Sequence, residues 1–197
     1  MERRDALKKA AMISGSAVLT PSLLTLLQSC QQQDPLDWQP KFLNEAQARL
    51  VTALVDTILP KTDTPGALDM NVHIFIDLVY SKIYDKAGQK LIASQLNAFD
   101  QNCKDKYGGT FVELDDSGRS SVLTEAEANS GKFNGKVWGT AVGEQKPVGF
   151  YRSFKSLALW AYFSSEEIGK NVLSYDPIPG EYLGCIPLSE VGNTWSL

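Results

Sequence analysis

The sequence predicts an all-α fold, an irregular bundle of about five to six helices followed by a long non-regular C-terminal tail. Apolar residues recur at three- and four-residue spacing in successive segments, which is typical of helices with one buried face. Prolines and glycines punctuate the chain between these segments. No segment has the convincing alternation of apolar and polar residues that is typical of a half-buried strand, and no internal repeat is found.

The helices follow in order along the chain. The first is predicted from a capping Asn44 to Leu59, where Pro60 stops it. The next three are expected at 71–84, 87–107 and 114–129, and a strongly apolar fifth helix at 150–163. Gly108 and Gly109 are expected to cap the C-terminus of the third. The apolar residues expected to face inward from the second and third helices are Val72, Phe75, Ile76, Val79 and Ile83, then Leu91, Ile92, Leu96, Phe99 and Cys103.

Three other segments lack the pattern of a long helix. Residues 61–66 have the composition of a turn, and 130–149 form a glycine-rich loop. A short helix is expected to end near Leu173. The tail from Tyr175 onward is too rich in proline for regular structure, but its apolar side chains indicate that it packs along a surface.

The first 29 residues have the layout of an export signal. A basic start with Arg3 and Arg4 precedes an uncharged stretch that is too rich in small residues for a stable membrane span. The arginine pair resembles the twin-arginine signal of proteins exported in a folded state. Residues 27–30 resemble a bacterial lipobox, in which Cys30 receives a diacylglycerol and becomes the new N-terminus. We therefore expect a periplasm-facing protein held at a membrane by lipid.

This interpretation divides the chain into three parts. Residues 1–29 are the signal, 30–40 a polar tether and 41–197 a single domain. The chain has a net charge of −4 and no cluster of Lys or Arg after the signal, which argues against nucleic acid as a partner. An acidic exported domain favours protein or small-molecule partners.

Three cysteines are present, and Cys30 is assigned to the lipid. Cys103 and Cys185 could pair in an oxidising compartment. Equally, one could be a buried thiol and the other could bond a partner chain. The absence of a Cys-x-x-Cys motif argues against a structural zinc site or a redox motif.

The sequence contains little catalytic chemistry. His73 is the only histidine, and Asp69 and Asp77 are its nearest acidic neighbours. A histidine and an aspartate four residues apart are more typical of a surface helix contact than of a catalytic dyad. A lone histidine is also a poor metal site, and the motifs of hydrolases, phosphate loops and dinucleotide folds are missing. No catalytic, cofactor-binding or metal-binding residue is predicted, a profile that suits an accessory subunit.

Two groups of motifs carry a family resemblance. Residues 58–67 read ILPKTDTPGA, with VHIFID following at 72–77. The C-terminal third contains WAYFSSE at 160–166, YDPIPGEY at 175–182 and GCIPL at 184–188. In these motifs, and in its twin-arginine start, the chain resembles the gluconate 2-dehydrogenase subunit 3 family over essentially its whole length.

The resemblance implies the small, non-catalytic subunit of a periplasmic sugar or polyol dehydrogenase. Its partner would be a large flavoprotein of the GMC type that carries FAD and the active site. A multihaem cytochrome c subunit often completes the electron path, so haem c would lie in a third subunit. The small subunit supports maturation and supplies the export signal. The competing hypothesis is an exported lipoprotein that acts as a binding or scaffold module without a redox partner.

The C-terminal tail is the predicted partner interface, because aromatic side chains are enriched at interfaces. The alternative is that these aromatics pack back on the helices of their own chain. The predicted interface residues are Tyr175, Asp176, Pro177, Pro179, Tyr182, Cys185 and Trp195.

Overall fold

The computed structural model describes residues 36–176, 178, 180 and 184–196. The described residues from Trp38 onward belong to one compact unit. They are mostly helical, with one very small hairpin, which confirms the all-α prediction. Some predicted functional residues lie outside the described residues: Arg3, Arg4, Cys30, Pro177, Pro179 and Tyr182.

The first helix, α1 (Glu45–Ile58), lies at the centre of the bundle. Its N-terminus is capped reciprocally, because Gln47 donates its N–H to the Asn44 side chain (2.9 Å) and accepts from the Asn44 N–H (3.3 Å). The helix packs against all four other long helices, which explains why its apolar face is completely covered. That face comprises Leu50, Val51, Leu54 and Val55.

Four further long helices surround α1: α2 (Val72–Lys82), α3 (Lys86–Tyr107), α4 (Asp116–Asn129) and α5 (Phe150–Phe163). The carboxylates of Asp85 and Asp115 cap α3 and α4 by accepting backbone N–H groups 2.7 and 2.8 Å away. Gly108 ends α3 in the left-handed conformation (φ 81°), as predicted. Each of these ends is set by local chemistry, and each lies close to its predicted place.

The buried face of α2 differs from the predicted one. Val72 and Ile76 are buried as expected, but Phe75 and Ile83 are exposed. The buried face instead includes two polar residues, His73 and Asp77. Apolar residues occur on more than one side of α2, so periodicity alone did not identify the side that meets the bundle. In α3, Leu91 was likewise expected inward and is exposed.

The glycine-rich loop contains a β-hairpin, which corrects its prediction as an irregular loop. Strands β1 (Lys136–Val137) and β2 (Thr140–Ala141) pair antiparallel. The two residues between them, Trp138 and Gly139, both have positive φ, 52° and 79°, which is the geometry of a type I′ turn. Two-residue strands are too short to produce a recognisable alternation in the sequence.

The described residues of the C-terminal region include regular structure that the proline content did not predict. A π-helical segment, Ile168–Val172, occupies the place of the expected short helix and packs against α5. The described part of the tail contains one helical turn, α6 (Leu188–Val191). Ser174 forms a parallel bridge with Trp195, and its hydroxyl donates to the carbonyl of Val191 (2.9 Å). The end of the chain is therefore fastened to the residues that follow the π-helix. None of the described helices is long and apolar enough to cross a membrane.

Candidate subunit interface

An apolar patch lies where α2 and α5 pack together. Phe75 and Leu78 are one turn apart on α2, and Trp160 and Phe163 are one turn apart on α5. All four side chains are exposed, Trp160 to 58%. The rings of Phe75 and Trp160 lie 5.6 Å apart between centroids, which joins the two rows. We call these four residues the α2/α5 face. Contiguous exposed apolar surface of this kind marks interaction sites.

A hydrogen bond fixes α5 beside the loop that precedes α2. The buried Tyr162 lies between Trp160 and Phe163 in sequence but points into the protein. Its hydroxyl donates to the carbonyl of Pro65 at 2.6 Å. This contact joins the two sequence regions that carry the family resemblance, and it sets the position of the α5 half of the α2/α5 face.

The loop at 59–71, which we call the connecting loop, is held closed by its own polar contacts. Ala67 donates its N–H to Leu59 (2.9 Å), and Gly66 donates to the Asp69 carboxylate (2.9 Å). The hydrogen bond from the Gly66 N–H is the main reason why the pKa of Asp69 is below its ordinary value. Lys61, whose Nζ lies 3.2 Å from the Asp69 carboxylate, lowers this pKa further. A Cβ on Gly66 would lie 2.7 Å from the Lys61 backbone nitrogen. The turn therefore requires glycine at this position.

Asp77 attaches the incoming chain to α2. Its carboxylate is 1% exposed and accepts three backbone N–H groups, from Lys41 (2.6 Å), Phe42 (3.0 Å) and Leu43 (2.9 Å). Hydrogen bonds to a charged acceptor are among the stronger ones in proteins. This carboxylate thus fixes the segment that leads into the Asn44 cap of α1.

The expected surface contact between His73 and Asp77 is wrong, because both side chains are buried. The indole of Trp38 lies edge-on to the His73 ring, with 5.2 Å between ring centroids. Together with the hydrogen bonds to Asp77, this contact places His73 beneath the incoming segment. Sequence spacing could not predict this, since the partners of Asp77 are more than thirty residues away.

The predicted interface residues of the tail are partly described. Tyr175 and Trp195 expose close to half of their surface, and Asp176 and Cys185 are exposed. The bridge between Ser174 and Trp195 brings the start of the tail, where Tyr175 lies, close to Trp195 near its end. Their role at a partner interface stays a prediction.

The two described cysteines are free thiols in different surroundings. Cys103 is buried in α3, whereas Cys185 is exposed. Burial, together with the nearby Asp100 and Glu125 carboxylates, raises the pKa of Cys103 to about 11. Of the alternatives above, the structure agrees with one buried thiol and one separate cysteine, without a bond between them. A bond from Cys185 to a partner chain stays a prediction.

Sequence reasoning missed the α2/α5 face. Periodicity predicts Phe75 on the inner side of its helix, and Trp160 stands out only as part of an apolar helix and of a family motif. The sequence does contain an indication of this face. Both helices have large apolar residues on more than the one side that a helix normally buries. That excess could have indicated a second apolar face, but only the packing of α2 against α5 shows which residues form it.

A cleft of about 820 Å³ lies between α1, α4 and α5. Its charged side chains hold the fold together. Arg119 donates to the Val112 carbonyl (2.7 Å), and Glu127 pairs with Lys155 (3.3 Å) and Arg152. Within the described part of the chain, no three His, Cys, Asp or Glu side chains group as metal ligands would. The cleft therefore offers a polar surface in which Arg119 and Glu127 are already engaged by neighbouring groups.

Comparison with known protein families identifies a family that matches most of this chain. The family model described as gluconate 2-dehydrogenase subunit 3 matches residues 45–180, from the first residue of α1 into the C-terminal tail. The match includes the connecting loop and both helices of the α2/α5 face. No curated protein and no solved structure matches the chain significantly. The family match spans more than half of the sequence, and the chain belongs to the gluconate 2-dehydrogenase subunit 3 family.

Proposed function

We propose that this protein is the non-catalytic small subunit of a periplasm-facing, FAD-dependent sugar or polyol dehydrogenase. It binds the large flavoprotein subunit, assists its maturation and escorts it through twin-arginine export. In this proposal, FAD and the active site belong to the large subunit, and haem c to a cytochrome subunit where one is present. The family membership supports a place in such a complex.

The observation that carries the proposal is the α2/α5 face. Its aromatic residues are of the type that dominates the energetics of protein interfaces. Phe75, Trp160 and Phe163 also lie within the sequence motifs that resemble the family. A large partner subunit is the occupant that family membership supports most directly.

The α2/α5 face alone is too small for a stable subunit contact, which buries about 800 Å² on each partner. The tail supplies a natural extension, because the π-helical segment packs against α5 and the tail follows it directly. Tyr175, Trp195 and Cys185 are exposed there. We therefore include these tail residues in the proposed interface.

The N-terminal residues give the complex its location. Arg3 and Arg4 would direct the folded assembly to twin-arginine export, and Cys30 would hold it at the membrane through lipid. Export of a folded pair explains why a chain without its own cofactor motif has a twin-arginine start.

The direct test is to isolate the tagged chain from membranes and measure the flavoprotein that accompanies it. We expect a stoichiometric large subunit with flavin absorbance. Trp160→Ala should lower its recovery at least about tenfold, as expected for an interface hot spot. Leu91→Ala is the matched control, because Leu91 is also 58% exposed but lies on α3.

Two outcomes would contradict the proposal. Absence of any stoichiometric flavoprotein would favour the exported scaffold without a redox partner. For the escort role, Arg3→Lys combined with Arg4→Lys should leave both proteins in the cytoplasm. An active flavoprotein in the periplasm of that double variant would exclude the escort role.

A further inference from the structure

The segment at 131–149, which we call the hairpin segment, is a structured projection. At its base, Gly149 donates its N–H to the Gly131 carbonyl (3.1 Å), and a Cβ on Gly149 would lie 2.7 Å from the Gly131 backbone nitrogen. Further out, Asn134 and Lys146 exchange two hydrogen bonds of 2.7 and 2.8 Å. The two sides of the segment are thus held together before the strands begin.

Trp138 at the tip is 100% exposed. It occupies the first central position of the type I′ turn with φ 52°. That position favours Asn, Asp or Gly, and a bulky side chain with positive φ is uncommon. Neither packing nor local backbone preference explains tryptophan here. Such an outlier is a reason to look for a function.

The charge of the hairpin segment is opposite to that of the chain. It contains Lys132, Lys136 and Lys146 with a single acidic residue, Glu144, whereas the chain has a net charge of −4. Glu144 lies 3.7 Å from Lys146. The remaining positive charge therefore lies on Lys132 and Lys136, both exposed. Val137 and Val142 add exposed apolar surface on the two sides of the tip.

We infer that the hairpin segment is a membrane contact whose tip enters the headgroup region of a leaflet that contains anionic lipid. Tryptophan favours the boundary between headgroups and hydrocarbon. Lysines near a negatively charged leaflet are attracted to it, and their long stems keep the ammonium groups at headgroup level. The inference adds a second contact to the proposed lipid anchor, and it rests on the proposed function only for the presence of a membrane.

The geometry favours a lipid surface over a protein pocket. Residues that anchor protein interfaces lie near the centre of a patch whose neighbours exclude water. Trp138 instead stands at a narrow tip beside Gly139 and Thr140, and a fluid headgroup layer can surround such a point. Val142 donates its N–H to Gly135 (3.1 Å), and the paired strands satisfy further backbone groups near the tip. This lowers the cost of bringing the tip out of water.

The experiment uses the full-length chain on phosphatidylcholine vesicles with and without phosphatidylglycerol, made with brominated acyl chains that quench tryptophan. The four tryptophans lie at 38, 138, 160 and 195, and none lies in the first 35 residues. The difference between the wild type and a Trp138 variant therefore isolates the contribution of the tip. We expect quenching on the anionic vesicles. Trp138→Asn should abolish most of it while preserving the turn, because asparagine tolerates positive φ. Trp160→Ala, the matched control, should retain it.

A second pair of variants tests the charge. Lys132→Gln and Lys136→Gln should each weaken binding to the anionic vesicles about fivefold, with little effect on phosphatidylcholine alone. Equal quenching in wild type and Trp138→Asn would overturn the inference. The inference would also be overturned if Trp138→Asn lowered the recovery of the flavoprotein but left the quenching unchanged. The hairpin segment would then be a subunit contact. The vesicle measurement contains no flavoprotein, so its outcome is independent of the proposed subunit role.

Discussion

Tyr162 on α5 donates its hydroxyl proton to the carbonyl of Pro65 in the connecting loop, at 2.6 Å and across 97 positions of sequence. The bond joins two motifs that look unrelated in the sequence. It fixes the end of α5 against the loop that leads into α2, and it thereby supports the junction where Phe75 meets Trp160. The motifs at 58–67 and 160–166 can therefore be understood as one structural unit that supports the α2/α5 face.

Removal of this hydroxyl should weaken the unit without unfolding it. Tyr162→Phe is expected to lower the free energy of unfolding by about 1 to 2 kcal/mol, because the Pro65 carbonyl loses a partly buried donor. Urea unfolding followed by circular dichroism measures this. Tyr175→Phe, on an exposed tyrosine, should change the free energy by less than about 0.5 kcal/mol. Equal effects of the two substitutions would show that the bond contributes little.

Gly66 tests the close approach in the connecting loop. Gly66→Ala places a Cβ 2.7 Å from the Lys61 backbone nitrogen, so the loop must shift. We expect a loss of about 1 to 3 kcal/mol in the free energy of unfolding. Gly180→Ala is the control, since no atom lies within 4 Å of the added Cβ. Thermal and urea unfolding of both variants give the comparison, and an unaffected Gly66→Ala would refute the steric argument.

Asp77 tests the attachment of the incoming segment. Asp77→Asn removes the charge and replaces one acceptor oxygen with an NH2 group, so one of the three backbone donors loses its acceptor. A loss of about 2 to 3 kcal/mol is expected from a buried hydrogen bond to a charged group. Limited proteolysis should also cut near residues 38–43 sooner. Asp63→Asn, in the exposed part of the connecting loop, is the control and should behave as wild type in both measurements.

The two described thiols should differ strongly in reactivity. In a Cys30→Ser background, one equivalent of a disulfide reagent should react at neutral pH, at the exposed Cys185. Cys103 should react only after denaturation, because it is buried and its pKa is raised to about 11. Cys185→Ser provides the control by removing the fast phase. Fast reaction of both cysteines in the folded protein would contradict the burial of Cys103.

The local features of the chain could be predicted from its sequence. Asn44, Pro60 and Gly108 set the ends of helices through capping and backbone constraints that involve only near neighbours, and these predictions are confirmed. The all-α class followed in the same way from the three- and four-residue spacing of apolar side chains. Residue motifs were also sufficient to identify the family, because they are long and contiguous.

Which surfaces are buried follows from the packing of the helices and not from their sequence pattern. Ile76 and Phe75 are adjacent and both apolar, yet Ile76 is in the core and Phe75 lies on the α2/α5 face. The packing of α2 against α1 and α5 decides which of the two is buried. Asp77 is buried since its backbone partners arrive from more than thirty residues away. Trp138 is at a tip because two very short strands pair around it. Each of these outcomes depends on contacts between distant segments, which spacing along one helix or loop does not contain.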